Sequence, residues 1–110
     1  MNLHKIGQTA HEINAANGWK VFTPEDWPND GELDKVYFLG AHATLIHEEI
    51  SEAFRGVRNR NRDNFDEELA DAIIRITSIA YGLGTDLEAA IIAKMAKNWT
   101  RGLHHGGKAV

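Results

Sequence analysis

Two stretches of this chain carry apolar residues at three-and-four spacing, and that spacing restricts the fold more than any other feature. Leu39, Ala43, Ile46, Ile50, Ala53 and Val57 form the first set, and Leu69, Ile73, Ile76, Ala80 and Leu83 the second. A period near 3.6 residues places each set along one face of an α-helix. A half-buried strand would alternate every second residue, and no segment of the chain sustains that pattern. The connection GVRNRNRD, residues 56–63, is short and charged, so the two helices must be antiparallel neighbours.

The flanking sequence adds two further helices. Ile6, Ala10 and Ile13 predict a helix from about Leu3 to Asn17, with Gly18 as its stop. Both prolines, Pro24 and Pro28, fall in FTPEDWPNDGE, which reads as a loop. The second helix is expected from about Leu33 to Arg55; Gly40 weakens its first turns by about 1 kcal/mol relative to alanine, and Gly56 would end it. Asn64 with Glu67 reads as a capping box opening the third helix, which Gly82 and Gly84 terminate. Thr85 with Glu88 reads as another box, opening a fourth helix that carries Leu87, Ile91 and Met95 and runs to about Thr100. The tail RGLHHGGKAV is too rich in glycine to continue it. The expected fold is all-α: residues 1–110 form a single domain, a four-helix antiparallel bundle. The apolar arcs of the middle helices are wider than one small bundle needs, which predicts assembly through helical faces.

Composition narrows the function. A net charge of -4 argues against electrostatic binding of nucleic acid. Cysteine is absent, so there is no disulfide framework or thiolate metal site, which fits a reducing compartment. The N-terminus MNLHKIGQTAHEIN is too polar for a secretory signal, and no apolar run approaches the roughly 20 residues of a membrane span. A cytoplasmic protein is expected. The charges are uneven, however. No acidic residue follows Glu88, whereas Lys94, Lys97, Arg101 and Lys108 do, and four arginines crowd residues 55–62.

The acidic residues form two knots, HEEISE and DEELAD, one on each middle helix. Glu49 and Glu52 are three apart and share a face, as do Glu68 and Asp71. One such pair alone is usually solvated surface. Two pairs flanking one short turn would converge in a single groove if the faces meet. Four ionised carboxylates at close range must be protonated or neutralised by cations. An all-oxygen set selects a hard cation, Mg2+ or Mn2+, rather than zinc. Glu48 and Glu67 stand outside both pairs. On the fourth helix Lys94, Asn98 and Arg101 share a face, where they either contact phosphate oxygens or complement the helix dipole.

The order Glu49-x-x-Glu52, Glu68-x-x-Asp71, then Lys94-x-x-x-Asn98 with Arg101 resembles the all-α nucleoside triphosphate pyrophosphohydrolases of the MazG-like group. The stretches LIHEEISEA, EELADAIIRI, LGTDLEAAIIAKMAKN and HGGKA look like text of that family, and the likeness covers roughly Ile13 to the C-terminus. The resemblance implies Mg2+-dependent cleavage of a nucleoside triphosphate into monophosphate and pyrophosphate, in nucleotide-pool control or house-cleaning. Glu49, Glu52, Glu68 and Asp71 would hold the metal, with Glu49 or Glu52 taking a proton from water. Lys94, Asn98 and Arg101 would contact substrate, and the chain would work as a homodimer or homotetramer.

Other residues stay open. Trp19, Phe22 and Trp27, in and beside the proline loop, either stack on a base or pack, and Trp99 is equally open. His42 and Arg75 lie on the site faces, as supports of the site or as simple partners of a carboxylate. The arginines of 55–62 are solvated or steer an anionic substrate. HHGGK either brings Lys108 to an anion or is a disordered tail. Alternative readings are a phosphoribosyl-ATP pyrophosphohydrolase-like enzyme and a non-catalytic nucleotide-binding helical module. A di-iron bundle is disfavoured because no glutamate has histidine three residues later.

Overall fold

The computed structural model describes residues 1–104, with side chains as far as Thr100. The chain is all-α: α1 (Leu3–Ala16), α2 (Leu33–Arg58), α3 (Arg62–Leu83) and α4 (Leu87–His104), with a 3₁₀ turn at Pro24–Asp26 and no strand among the described residues. No helix among them is long and apolar enough to cross a membrane.

Each boundary has a local cause. Asn2 caps α1 by accepting from the Lys5 amide at 2.8 Å, and the helix closes at Gly18, whose φ is +73°. The proline loop is folded on itself: the Asp26 carboxylate accepts from the Thr23 amide at 2.8 Å, and Lys35 Nζ donates to the Glu25 carbonyl at 2.8 Å. Phe22 anchors the loop by burying itself against α3, where a Cβ on Gly82 would lie 2.7 Å from the Phe22 Cβ.

Three expected boundaries move. Gly56 does not end α2, which runs on to Arg58. It is buried because α3 crosses there; a Cβ on Gly56 would stand 3.0 Å from the Phe65 amide nitrogen. The cap of α3 is Asn61, not Asn64: Asn61 Oδ1 accepts from the Asn64 amide at 3.0 Å, and Glu67 is left exposed. Asp86, rather than Thr85, caps the start of α4 by accepting from the Ala89 amide at 3.1 Å. In addition, α4 continues through Arg101–His104, four residues expected to lie in a non-helical tail.

The α2–α3 turn is correspondingly tight. Asn61 N–H returns to the Gly56 carbonyl at 2.8 Å and Arg60 N–H to Val57 at 3.0 Å, while Arg60 takes a left-handed φ of 53°. Asn61 therefore closes α2 and opens α3 at once.

Helix α3 is the centre of the packing, with α1 on one flank and α2 on the other. Small residues allow the close approach. Ala10, Ala53 and Ala72 are buried, and a Cβ on Gly7 would collide with the Thr77 carbonyl. Tyr81 of α3 sits edge-on between His4 and His11 of α1, at 5.2 and 5.1 Å. The four helices are consistent with the expected bundle, and among the described residues the fourth packs less closely than the other three. It leans mainly on α1 and leaves Ile92, Met95 and Trp99 exposed, Trp99 at 77%. The radius of gyration is accordingly 16.5 Å, against about 13 Å for a compact domain of this length.

Candidate metal centre

The tight turn sets α2 and α3 side by side with their acidic faces inward. Glu49 and Glu68 are buried, at 8% and 9% exposure, and Asp71 is half-buried. One carboxylate oxygen from each of Glu49, Glu68 and Asp71 lies within 4.8 Å of the others. Glu52, one turn beyond Glu49, is half-buried with its carboxyl against that of Glu68. All four carboxylates inferred from sequence spacing thus meet in one groove.

The groove is electrostatically strained. The Glu52 carboxyl beside it, then burial, then Glu49 push the Glu68 carboxyl up to about 7. With every carboxylate ionised there is no donor to share, and Glu68 Oε2 is buried without a hydrogen-bond partner. A proton held between Glu68 and Glu52 relieves this, and so does a cation. An orphaned buried oxygen in an all-oxygen set fits a hard divalent ion such as Mg2+ or Mn2+. Part of the charge is met inside the chain: Arg75 Nε donates to Glu49 Oε1 at 2.9 Å, across the α2–α3 interface.

A cleft of about 530 Å³ opens beside the cluster and shares Glu49, Asp71 and Arg75 with it. Trp19, Lys20, Phe22 and His42 also line it, as do Asn14 and Ser78, which approach each other at 3.4 Å. His42 is fixed by a 3.0 Å contact from Nδ1 to the Phe38 carbonyl and by edge-on packing against Phe22 at 5.1 Å.

The remaining sequence candidates separate. Trp19 lines the cleft and is 62% exposed, Phe22 is core, and Trp27 is exposed away from the cleft. Glu48 and Lys97 are exposed. Lys94 is exposed and Asn98 half-buried on α4, and among the described residues none of α4 lines the cleft. The Arg101 side chain, and His105 to Lys108 of the HHGGK segment, lie outside the described residues. Of the arginines at the α2–α3 turn, Arg62 pairs with Asp66 at 2.9 Å and Arg58 lies over Phe54 at 5.8 Å. Asn14, Lys20 and Ser78 were not foreseen. Only the packing of α1 and the proline loop against α3 brings them to the cleft, and no short-range spacing signals that.

Comparison of the chain with protein-family models, with curated proteins and with solved structures gave no match.

Proposed function

We propose that this protein is a Mg2+-dependent nucleoside triphosphate pyrophosphohydrolase of the MazG-like kind, acting on cytoplasmic nucleotides. The observation that carries the reading is the convergence of Glu49, Glu52, Glu68 and Asp71 around the unpartnered Glu68 Oε2. The motif resemblance supplies the reaction class. Bound Mg2+, or Mn2+ in its place, would neutralise polyphosphate oxygens and lower the pKa of a nearby water.

The chain's own groups have separable roles in this reading. Glu49, Glu68 and Asp71 hold the cation. Glu52 lies outside that three-oxygen group, which makes it the better candidate to accept the proton of the attacking water. Water adds at phosphorus, the α–β anhydride bond breaks, and pyrophosphate leaves. The exposed Trp19 ring at the cleft is placed to stack on the base. The chain works as a homodimer or homotetramer. Support comes from the uncovered Ile92, Met95 and Trp99, and from Lys94 and Asn98 not being among the residues that line their own cleft. Packing of α4 against a partner would bring those two side chains to the partner's substrate.

The test is product analysis with a nucleotide panel, including phosphoribosyl-ATP, in Mg2+ and in Mn2+. A monophosphate plus pyrophosphate is expected. Release of orthophosphate with a diphosphate would refute the cleavage position, and binding without turnover would favour the non-catalytic module.

A further inference from the structure

Arg75 is the cation paired with the carboxylate cluster, and its position gives it more to do than neutralise a neighbour. Its Nε holds Glu49 Oε1 at 2.9 Å, so it engages a carboxylate that belongs to the three-residue cluster and places a positive charge beside it. The two partners are unequally buried. The Glu49 side chain is only 10% exposed, whereas Arg75 is 43% exposed. An unpaired buried carboxylate is costly, so Arg75 supports the fold while no cation is bound. Its own half-exposure allows it to leave without opening the core. It also stands one helical turn beyond Asp71 and lines the same cleft. A displaced guanidinium therefore stays tethered over the groove, and its planar fork matches two oxygens of a phosphate.

We propose that Arg75 is an exchangeable counter-ion: it neutralises Glu49 in the metal-free protein, yields that carboxylate to a divalent cation, and then binds the anionic polyphosphate chain of the substrate. Lys20, which also lines the cleft, offers a second cation to the same chain. The proposal rests on reading the cluster as a metal-dependent phosphate site, and it places the anion-binding group within the protomer that supplies the carboxylates. No chemical bond is made or broken in the exchange; one ion pair replaces another.

The test uses Mn2+ alone, titrated into the metal-free protein at pH 8, with free Mn2+ read by electron paramagnetic resonance. Arg75→Gln should bind Mn2+ about tenfold more tightly, the scale expected when a unit charge beside a divalent ion is removed from a part-solvated groove. Arg75→Lys, which keeps the charge, should stay near the wild type. Inorganic pyrophosphate added to the Mn2+-loaded protein should then bind about tenfold more weakly to Arg75→Gln than to the wild type. Equal Mn2+ affinity in wild type and Arg75→Gln overturns the exchange while leaving the metal reading intact. Absence of Mn2+ binding in both removes the metal reading and the exchange together. Tighter Mn2+ with unchanged pyrophosphate affinity overturns the hand-over to phosphate. A second measurement needs no variant: the Arg75 Nε–H resonance should move when Mg2+ saturates the wild-type protein, and move again with pyrophosphate. A resonance indifferent to Mg2+ would overturn the proposal.

Discussion

Helices α2 and α3 meet through Gly56, Ala53 and Ala72 and bury two glutamates between them, whereas α4 leans on α1 and keeps most of its apolar face in solvent. Both regions carry a clear charged motif. In the hairpin the motif is assembled: oxygens of Glu49, Glu68 and Asp71 lie within 4.8 Å of one another, and the Glu68 carboxyl is pushed up to about 7. On α4 the described motif residues, Lys94 and Asn98, are not among those that line the cleft. The difference shows that a spacing pattern becomes chemistry only where a second element is held against it, and a turn as short as residues 59–61 holds it more firmly than a long helix leaning on one neighbour.

The sharpest way to break this comparison is by turnover. Glu52→Gln and Asp71→Asn should each lower kcat/KM about 10³-fold while far-ultraviolet circular dichroism stays helical. Unchanged turnover in both would remove the site from the hairpin. Lys94→Ala should also lose activity, but mixing it with Glu52→Gln should restore a part if α4 serves a partner's cleft; failure to complement would return α4 to its own chain.

Packing gives the next effect. Gly56→Leu should destabilise by about 3 kcal/mol in denaturant unfolding, because its side chain meets the α3 backbone. Gly40 lies in the same helix with nothing within 4 Å of its Cβ position, so Gly40→Ala should stabilise by about 1 kcal/mol. Equal responses at the two positions would mean that the close crossing at Gly56 is not what holds the hairpin.

The acidic groove also predicts a pH dependence. Glu68 sits near 7 in the folded protein and near 4.5 unfolded, so between those values the folded state holds a proton that the unfolded state releases. Stability of the metal-free protein should therefore fall as pH rises through that window and level off above it. Saturating Mg2+ should reverse the slope, since the ion requires ionised carboxylates. Thermal melts of the wild type and of Glu68→Gln, whose slope should be flatter, test this. Asp26 acts in the opposite sense at lower pH. The Thr23 amide holds its carboxyl below the ordinary 3.8, so its contribution is lost only on strong acidification.

The smallest effect expected lies in the turn itself. Arg60 holds a left-handed φ of 53° without being glycine. Arg60→Gly should relieve roughly 1 kcal/mol of backbone strain, less the added freedom of the unfolded chain. A loss of stability would show that the Arg60 side chain matters more to the turn than its backbone angle.

Much of this was legible in the residues. The three-and-four spacing of Leu39 to Val57 and of Leu69 to Leu83 specifies helices because the α-helical period is a local property of the backbone. The pairs Glu49–Glu52 and Glu68–Asp71 could be assigned to faces for the same reason, and a short connection forces adjacent antiparallel helices. Boundaries were less legible. Asn61 and Asn64 offer similar local caps, and Gly56 resembles a helix stop until a second helix crosses it. What only the tertiary structure decided is which side chains from distant segments share a volume. It set Lys20, Asn14 and Ser78 at the cleft, left the Trp19 ring exposed while burying Phe22, paired Arg75 with Glu49, and leaned α4 mainly on α1. Those outcomes depend on contacts between elements far apart in the chain, where packing of small residues against backbone, and not helical period, sets the distances.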